Sequence, residues 1–283
     1  MPILPDDLAR EFFFHDVNRQ HLQLLDEAAR QSGLSRGEVF ADFLHMGVCA
    51  LSGGQLEDQY MDVVKRHSYG KPGKRSCDTL AQLYGSVIDA METDCREGMQ
   101  DVLGDLFEGA VSYGENGLYL SPMPICRAMS LLTVGDEEET YRMKSVCDPA
   151  CGSGRMLMAV AERYPHWEYV GVDVDVRAVR IAAINLALRN IYGYLIHGNS
   201  LTLETQRVYR TGFNGKGVVR EIPPESCPYA PLRPSPKQQQ EHFSRDESAR
   251  KSLSTSGRMT TIANSDRKSL LMGFARHLLA LLP

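Results

Sequence analysis

Apolar residues recur at helical spacing through the first third of the chain. Across residues 16–31, Val17, Leu22, Leu24 and Leu25 stand among charged positions, the pattern of a surface helix. Ser35 precedes Glu38 at capping-box spacing, ahead of Val39, Phe40, Phe43 and Leu44, so a second helix is expected there. Gly53-Gly54 ends it, and a further helix is expected over residues 55–65. Residues 67–75 are rich in Gly and Pro and read as a basic loop, solvated or, alternatively, in contact with phosphate. Residues 80–111 return to helical spacing with a break near Glu97-Gly98, and Val102, Leu103, Leu106, Phe107 and Ala110 share one face.

From Ser145 the period changes. Ser145-Val146-Cys147, Tyr169-Val170-Gly171-Val172 and Tyr194-Leu195-Ile196 read as short strands. Between them lie helical patterns over residues 155–163 and 176–189. Strands separated by helices of that length predict a parallel α/β sheet. Residues 207–222 predict a hairpin about Asn214-Gly215, whose Arg207, Arg210, Lys216 and Arg220 offer a basic face or a merely solvated edge. The expected organisation is a helical region (1–115), a Rossmann-like domain (116–222), a Pro/Ser/Gln-rich linker (223–266) and a C-terminal helix (267–283).

Composition narrows the class without naming a function. The 283 residues are 43% hydrophobic and 24% charged, and the net charge of −5 gives no support to a strongly basic nucleic-acid binder, although a local patch is compatible with it. Seven Cys residues show no zinc-ligand pair spacing and predict reduced thiols in a cytoplasmic protein. No apolar run is long enough for a bilayer, so no membrane association is expected.

The candidate chemistry sits after the first strand. Asp148-Pro149-Ala150-Cys151-Gly152-Ser153-Gly154 leads into a helix, and its glycines allow a ligand to approach the backbone. The helix N-terminus adds free N–H groups and partial positive charge. Asp173 ends the second strand, where a carboxylate can accept both hydroxyls of a ribose, and Val174 can lie against a purine. Asn199, in His197-Gly198-Asn199-Ser200-Leu201, is placed either to bond a purine edge or to cap its own loop.

These motifs resemble the adenine-N6 DNA methyltransferases of type I restriction–modification systems. Asp148–Gly154 looks like that family's S-adenosylmethionine (SAM) motif almost letter for letter. Upstream, Asp101-Val102-Leu103-Gly104-Asp105-Leu106-Phe107-Glu108 and Gly117-Leu118-Tyr119-Leu120-Ser121-Pro122 resemble the helix and the Tyr-Thr-Pro segment that precede it. Gly171-Val172-Asp173-Val174-Asp175 and Gly198-Asn199-Ser200-Leu201 are similar to the next two motifs. The resemblance implies a SAM-dependent methyltransferase fold, truncated or modified. It implies SAM held by Tyr119, Ser121, Pro122, Asp148, Pro149, Ala150, Gly152, Gly154, Asp173, Val174 and Asn199, with Ser121 keeping the hydroxyl that faces the methionine end. DNA is the implied substrate, with a specificity or other protein subunit as a further partner.

The family's (Asn/Asp)-Pro-Pro-(Tyr/Phe) tetrapeptide, which grips the extruded base, is not found. Ile222-Pro223-Pro224-Glu225 lacks both the polar first residue and the aromatic last one, and Asn214-Gly215-Lys216-Gly217 lacks the prolines. Both read as turns, with Phe213 and Tyr229 the nearest aromatics. The catalytic residues are therefore unknown at this stage. The alternatives to adenine-N6 transfer are a catalytically silent SAM-binding module acting through DNA or protein partners and, ranked last, an RNA or protein methyltransferase.

Overall fold

The computed structural model describes residues 13–94, 98–112, 119–134, 143–212 and 218–230. The chain divides into a unit Met1–Arg233 and a second, Pro234–Pro283, which lies outside the described residues, as do the expected C-terminal helix and most of the expected linker.

Helices α1 (Asn18–Ser32), α2 (Arg36–Ala50), α3 (Glu57–Arg66) and α4 (Ser76–Asp94) follow the predicted order. Gly33 closes α1 in the left-handed conformation, its N–H donating to the Ala29 carbonyl. The capping box of α2 forms as expected: the Glu38 amide donates to Ser35 Oγ, and the Ser35 amide donates to Glu38 Oε2 at 2.9 Å. The long fourth helical pattern resolves into α4 and a short α5 (Val102–Phe107), which continues as a π-helical turn (Glu108–Ser112). Much of the charge around the basic loop is engaged locally. Arg66 meets Asp42 at 2.6 Å, Arg75 meets Asp78 at 2.8 Å, and His67 is buried between Asp42 and Ser76.

After α6 (Met123–Val134) the chain builds β1 (Ser145–Asp148), α7 (Arg155–Ala161), β2 (Glu168–Asp173), α8 (Val176–Leu188) and β3 (Gly193–Asn199). These three strands are parallel neighbours. The sheet then changes direction: β4 (Glu204–Thr211) runs antiparallel to β3, and β5 (Arg220–Ile222) antiparallel to β4, in the order β1-β2-β3-β4-β5. The arms of the predicted hairpin are therefore present, whereas its Asn214-Gly215 turn, with Phe213 and Lys216, lies outside the described residues.

Side chains alternate across the sheet. Tyr169, Leu195 and Tyr209 face the main core, and Val170, Tyr194, Ile196 and Val208 face a smaller one. That alternation corrects one expectation. Arg207 and Arg210 are three residues apart, so they project to opposite faces of β4 and do not share one basic face, whereas Arg210 and Arg220 are register partners. Arg207 is also paired with Glu221 at 2.8 Å.

Helices and sheet share one core. Phe40 of α2 stacks on Phe107 of α5 with ring centroids 5.5 Å apart, and both belong to the cluster that holds Leu157, Ile184 and Leu195. Gly47 lets α2 approach α8 so closely that a Cβ there would lie 3.0 Å from Ile184 Cδ1. No boundary at residue 115 separates the helical region from the sheet. Residues 223–230, expected as the start of the linker, pack on the sheet. Cys227 and Ala230 are buried on the smaller core, and Tyr229 donates its hydroxyl to Glu168, because the apolar face of Val170, Tyr194 and Val208 needs a cover. Among the described residues no helix is long and apolar enough to cross a membrane.

Candidate ligand cavity at the ends of the parallel strands

Both glycines of the Asp148–Gly154 turn have backbone angles that L side chains rarely adopt. Gly152 has φ 52° and Gly154 φ 87°. A Cβ on Gly152 would lie 2.6 Å from Leu120 Cδ2, and one on Gly154 3.3 Å from Ala182 Cβ. The first glycine therefore keeps space beside the turn, and the second lets the start of α7 pack on α8. The Cys151 amide donates to the Val172 carbonyl at 2.9 Å, which ties the turn to the end of β2.

Asp173 completes that connection. Its Oδ2 accepts from the Gly152 amide and its Oδ1 from the Asp175 amide, both at 2.9 Å. Each carboxylate oxygen keeps a second acceptor site for a ligand hydroxyl. Asp148 accepts from the Ala150 amide at 3.1 Å. Burial pushes the Asp148 carboxyl above its ordinary pKa; the Ala150 amide opposes this and the neighbouring Asp173 charge adds to it.

These groups surround a cavity of about 700 Å³. Of the residues expected to hold a ligand, Tyr119, Ser121, Asp148, Ala150, Gly152, Asp173 and Val174 line it. Four do not. Gly154 is buried under α8, Pro149 is outside the lining, and Pro122 faces a neighbouring cavity of about 260 Å³ with Met123 and Arg127. Asn199 holds its own loop, its Oδ1 accepting from the Leu201 and Thr202 amides at 2.9 and 3.2 Å. Asn199→Ala is expected to lower stability by about 1 kcal/mol, read as a shift in the urea midpoint with unchanged slope.

His197 is the polar side chain that reaches the cavity from β3. It sits beside Asp173 in the β2–β3 register. Its Nε2–H donates to the Val174 carbonyl at 3.2 Å, leaving Nδ1 as an acceptor that is buried without a partner. Burial lowers its pKa and favours the neutral ring. Leu120, Cys126, Cys151, Ser153, Arg155, Met156, Asp175 and Val176 also line the cavity and were not among the residues expected to hold a ligand.

A second missed feature is a polar hub beneath the turn. Asp101 is fully buried and accepts from the Gly104 amide at 2.8 Å, Asn185 Nδ2 at 2.8 Å, Arg155 Nε at 2.7 Å and the Ser153 hydroxyl. Burial opposes the charged form, but Arg155 and these donors outweigh it and hold the pKa below the usual value. Three segments distant in sequence thus meet at one carboxylate. Asp105, one turn further on α5, accepts from the Phe14 and His15 amides at 3.0 Å and from Asn18 Nδ2 at 2.7 Å.

A three-stranded parallel half-sheet, a Gly-rich turn and an acidic residue at the end of the adjacent strand define a Rossmann-like fold. Residues 98–219 match the family model described as N-6 DNA Methylase. A stretch of 56 residues is 36% identical to "Methyltransferase ungE'" of Aspergillus campestris (strain IBT 28561), covering 20% of this chain and 16% of that protein. The crystal structure of a Listeria monocytogenes protein described as a class I SAM-dependent methyltransferase aligns with a TM-score of 0.30 and 16% identity, over 63% of this chain and 52% of that one.

Proposed function

We propose that this protein is a SAM-dependent DNA methyltransferase of the adenine-N6 type, transferring a methyl group to the exocyclic amine of adenine. One observation carries the cofactor half of this reading. The Gly-rich turn and the Asp173-Val174 pair, from the ends of adjacent parallel strands, line a single cavity large enough for a nucleoside with an amino-acid tail. The lining is acidic at Asp148 and Asp173, which suits a ligand carrying a sulfonium and an ammonium.

Bound there, SAM supplies a methyl group activated by its sulfonium for direct displacement. Asp173 would accept from the ribose hydroxyls through its unused acceptor sites, and Val174, 66% exposed, would cover a purine face. His197, which lines the cavity beside Asp173, would lie near the purine, while Asn199 keeps the following loop in shape. Tyr119 and Ser121, with Pro122 behind them, would bound the methionine end. Holding donor and acceptor in register supplies most of the acceleration for a displacement of this kind. DNA as the acceptor is supported by the family match, and a specificity subunit and a cytoplasmic setting in restriction–modification belong to the proposal by the resemblance of the motifs alone.

A second reading, a module that binds SAM without transferring methyl, is favoured by a specific observation. Ile222-Pro223-Pro224-Glu225 spans the end of β5 and a short 3-10 turn (Pro224–Ser226), outside the cavity lining. Isothermal titration with SAM, followed by transfer of labelled methyl to unmethylated DNA, separates the readings. Binding with label recovered in N6-methyladenine is expected. Binding without label would establish the silent module, and no heat at high-micromolar SAM would remove both.

A further inference from the structure

We infer that Arg155 is the positioning residue for the amino-acid half of the donor site, a proposal that rests on the SAM reading above. Arg155 is 5% exposed and stands at the first position of α7, between the main cavity and its neighbour. Its Nε donates to Asp101 at 2.7 Å, and its Nη1 donates to the carbonyls of Leu120 and Ser121 at 3.3 and 3.4 Å. Glu108 joins from the π-helical turn: Oε2 lies 3.5 Å from Arg155 Nη1, and Oε1 accepts from the Leu120 amide at 3.3 Å.

The consequence is geometric. Leu120 and Ser121 form the wall opposite the Gly-rich turn, and Arg155 holds their carbonyls while it is itself fixed to the hub beneath that turn. A planar guanidinium can bind a carboxylate and two carbonyls in fixed directions, which an ammonium cannot. Asp101 and Glu108 already balance its charge, so the group acts as a strut and not as a receptor for the donor's carboxylate. None of its hydrogen bonds reaches β2, β3 or residues 173–176, which form the nucleoside end. Its influence is thus confined to the end where Ser121 lies.

The test compares ligands with and without that end, S-adenosylhomocysteine and 5′-methylthioadenosine being thioethers that differ there alone. SAM and S-adenosylhomocysteine carry the amino-acid half; 5′-methylthioadenosine shares the adenosine and the sulfur but lacks it. Titration calorimetry of the full chain is run on the wild type, Arg155→Lys and Arg155→Gln. The variants are expected to lose about tenfold in affinity for SAM and S-adenosylhomocysteine and to stay within about twofold for 5′-methylthioadenosine. Glu108→Ala removes the other anchor of Leu120 without opening the buried Asp101 pair, and is expected to show the same selectivity at smaller amplitude. This variant carries the test if the Arg155 replacements do not fold. Equal losses for all three ligands, or no loss for any, would overturn the assignment. A wild type that binds none of the three would overturn the SAM reading instead.

Discussion

Asp101→Ala is expected to cost about 3–5 kcal/mol of folding stability, because it leaves the Arg155 guanidinium buried without its counter-charge. At roughly 2–4 °C per kcal/mol for a unit of this size, the melting temperature should fall by about 10 °C. The pair is almost fully enclosed, with side-chain exposures of 6% for Arg155 and 1% for Asp101. Ser153, Asn185 and Gly104 lose their acceptor at the same time. The pH dependence has a definite sign. The folded-state pKa of Asp101 is depressed, so its contribution is complete above the unfolded value near pH 4 and is lost as pH falls through the lower folded value. The wild type should therefore lose stability below about pH 4 more steeply than the variant. Urea titrations at neutral and acid pH measure both effects. A variant within about 1 kcal/mol of the wild type at pH 7 would remove Asp101 as the organising residue.

The second large effect is on ligand affinity. Asp173→Ala is expected to weaken SAM at least a hundredfold, roughly the loss of two hydrogen bonds to a charged acceptor. Two contributions combine. The ribose loses its acceptor, and the Gly152 and Asp175 amides lose the carboxylate that ties the turn to the end of β2. Asp173→Asn keeps the shape but turns one acceptor into a donor facing an amide, so an intermediate loss is expected. Calorimetry gives the affinities, and the ligand-induced rise in melting temperature, which scales with ligand concentration over the dissociation constant, provides an independent reading. Unchanged SAM affinity in Asp173→Ala would show that the acidic residue serves the turn alone. Asn199→Ala is the contrasting case: its side chain is engaged in its loop, so affinity should change little while stability falls slightly.

The sequence by itself determined whatever depends on neighbours a few residues apart. The Ser35/Glu38 box, the helical spacing of α1 to α3 and α8, and the short apolar runs of β1, β2 and β3 were all legible, because caps and amphipathic periods are local. The turn at Gly152 and Gly154 was legible because its backbone angles are ones that glycine supplies, and Asp173 because a strand end follows such a turn at a regular distance. The antiparallel return of β4 was not among these readings, because it depends on where β3 ends and β4 begins. Read from the sequence, ten residues separate Ile196 from Arg207; the structure leaves only residues 200–203 between β3 and β4, too few for the crossover that a parallel neighbour needs.

Tertiary structure alone decided the rest. No local pattern marks Asp101 as a hub, since its partners lie 52, 54 and 84 residues away, and a carboxylate on a helix is usually solvated. No spacing shows that Asn199 turns into its loop while His197, two residues earlier, reaches the cavity; that follows from where β3 stops pairing with β2. The basic residues of β4 looked like one face until the strand's alternation separated them. The Asp148–Gly154 segment could thus be recognised in the sequence, but Arg155 and the wall it holds could not. Recognition rests on short-range conformational demands, whereas the wall depends on which distant segments the fold packs together.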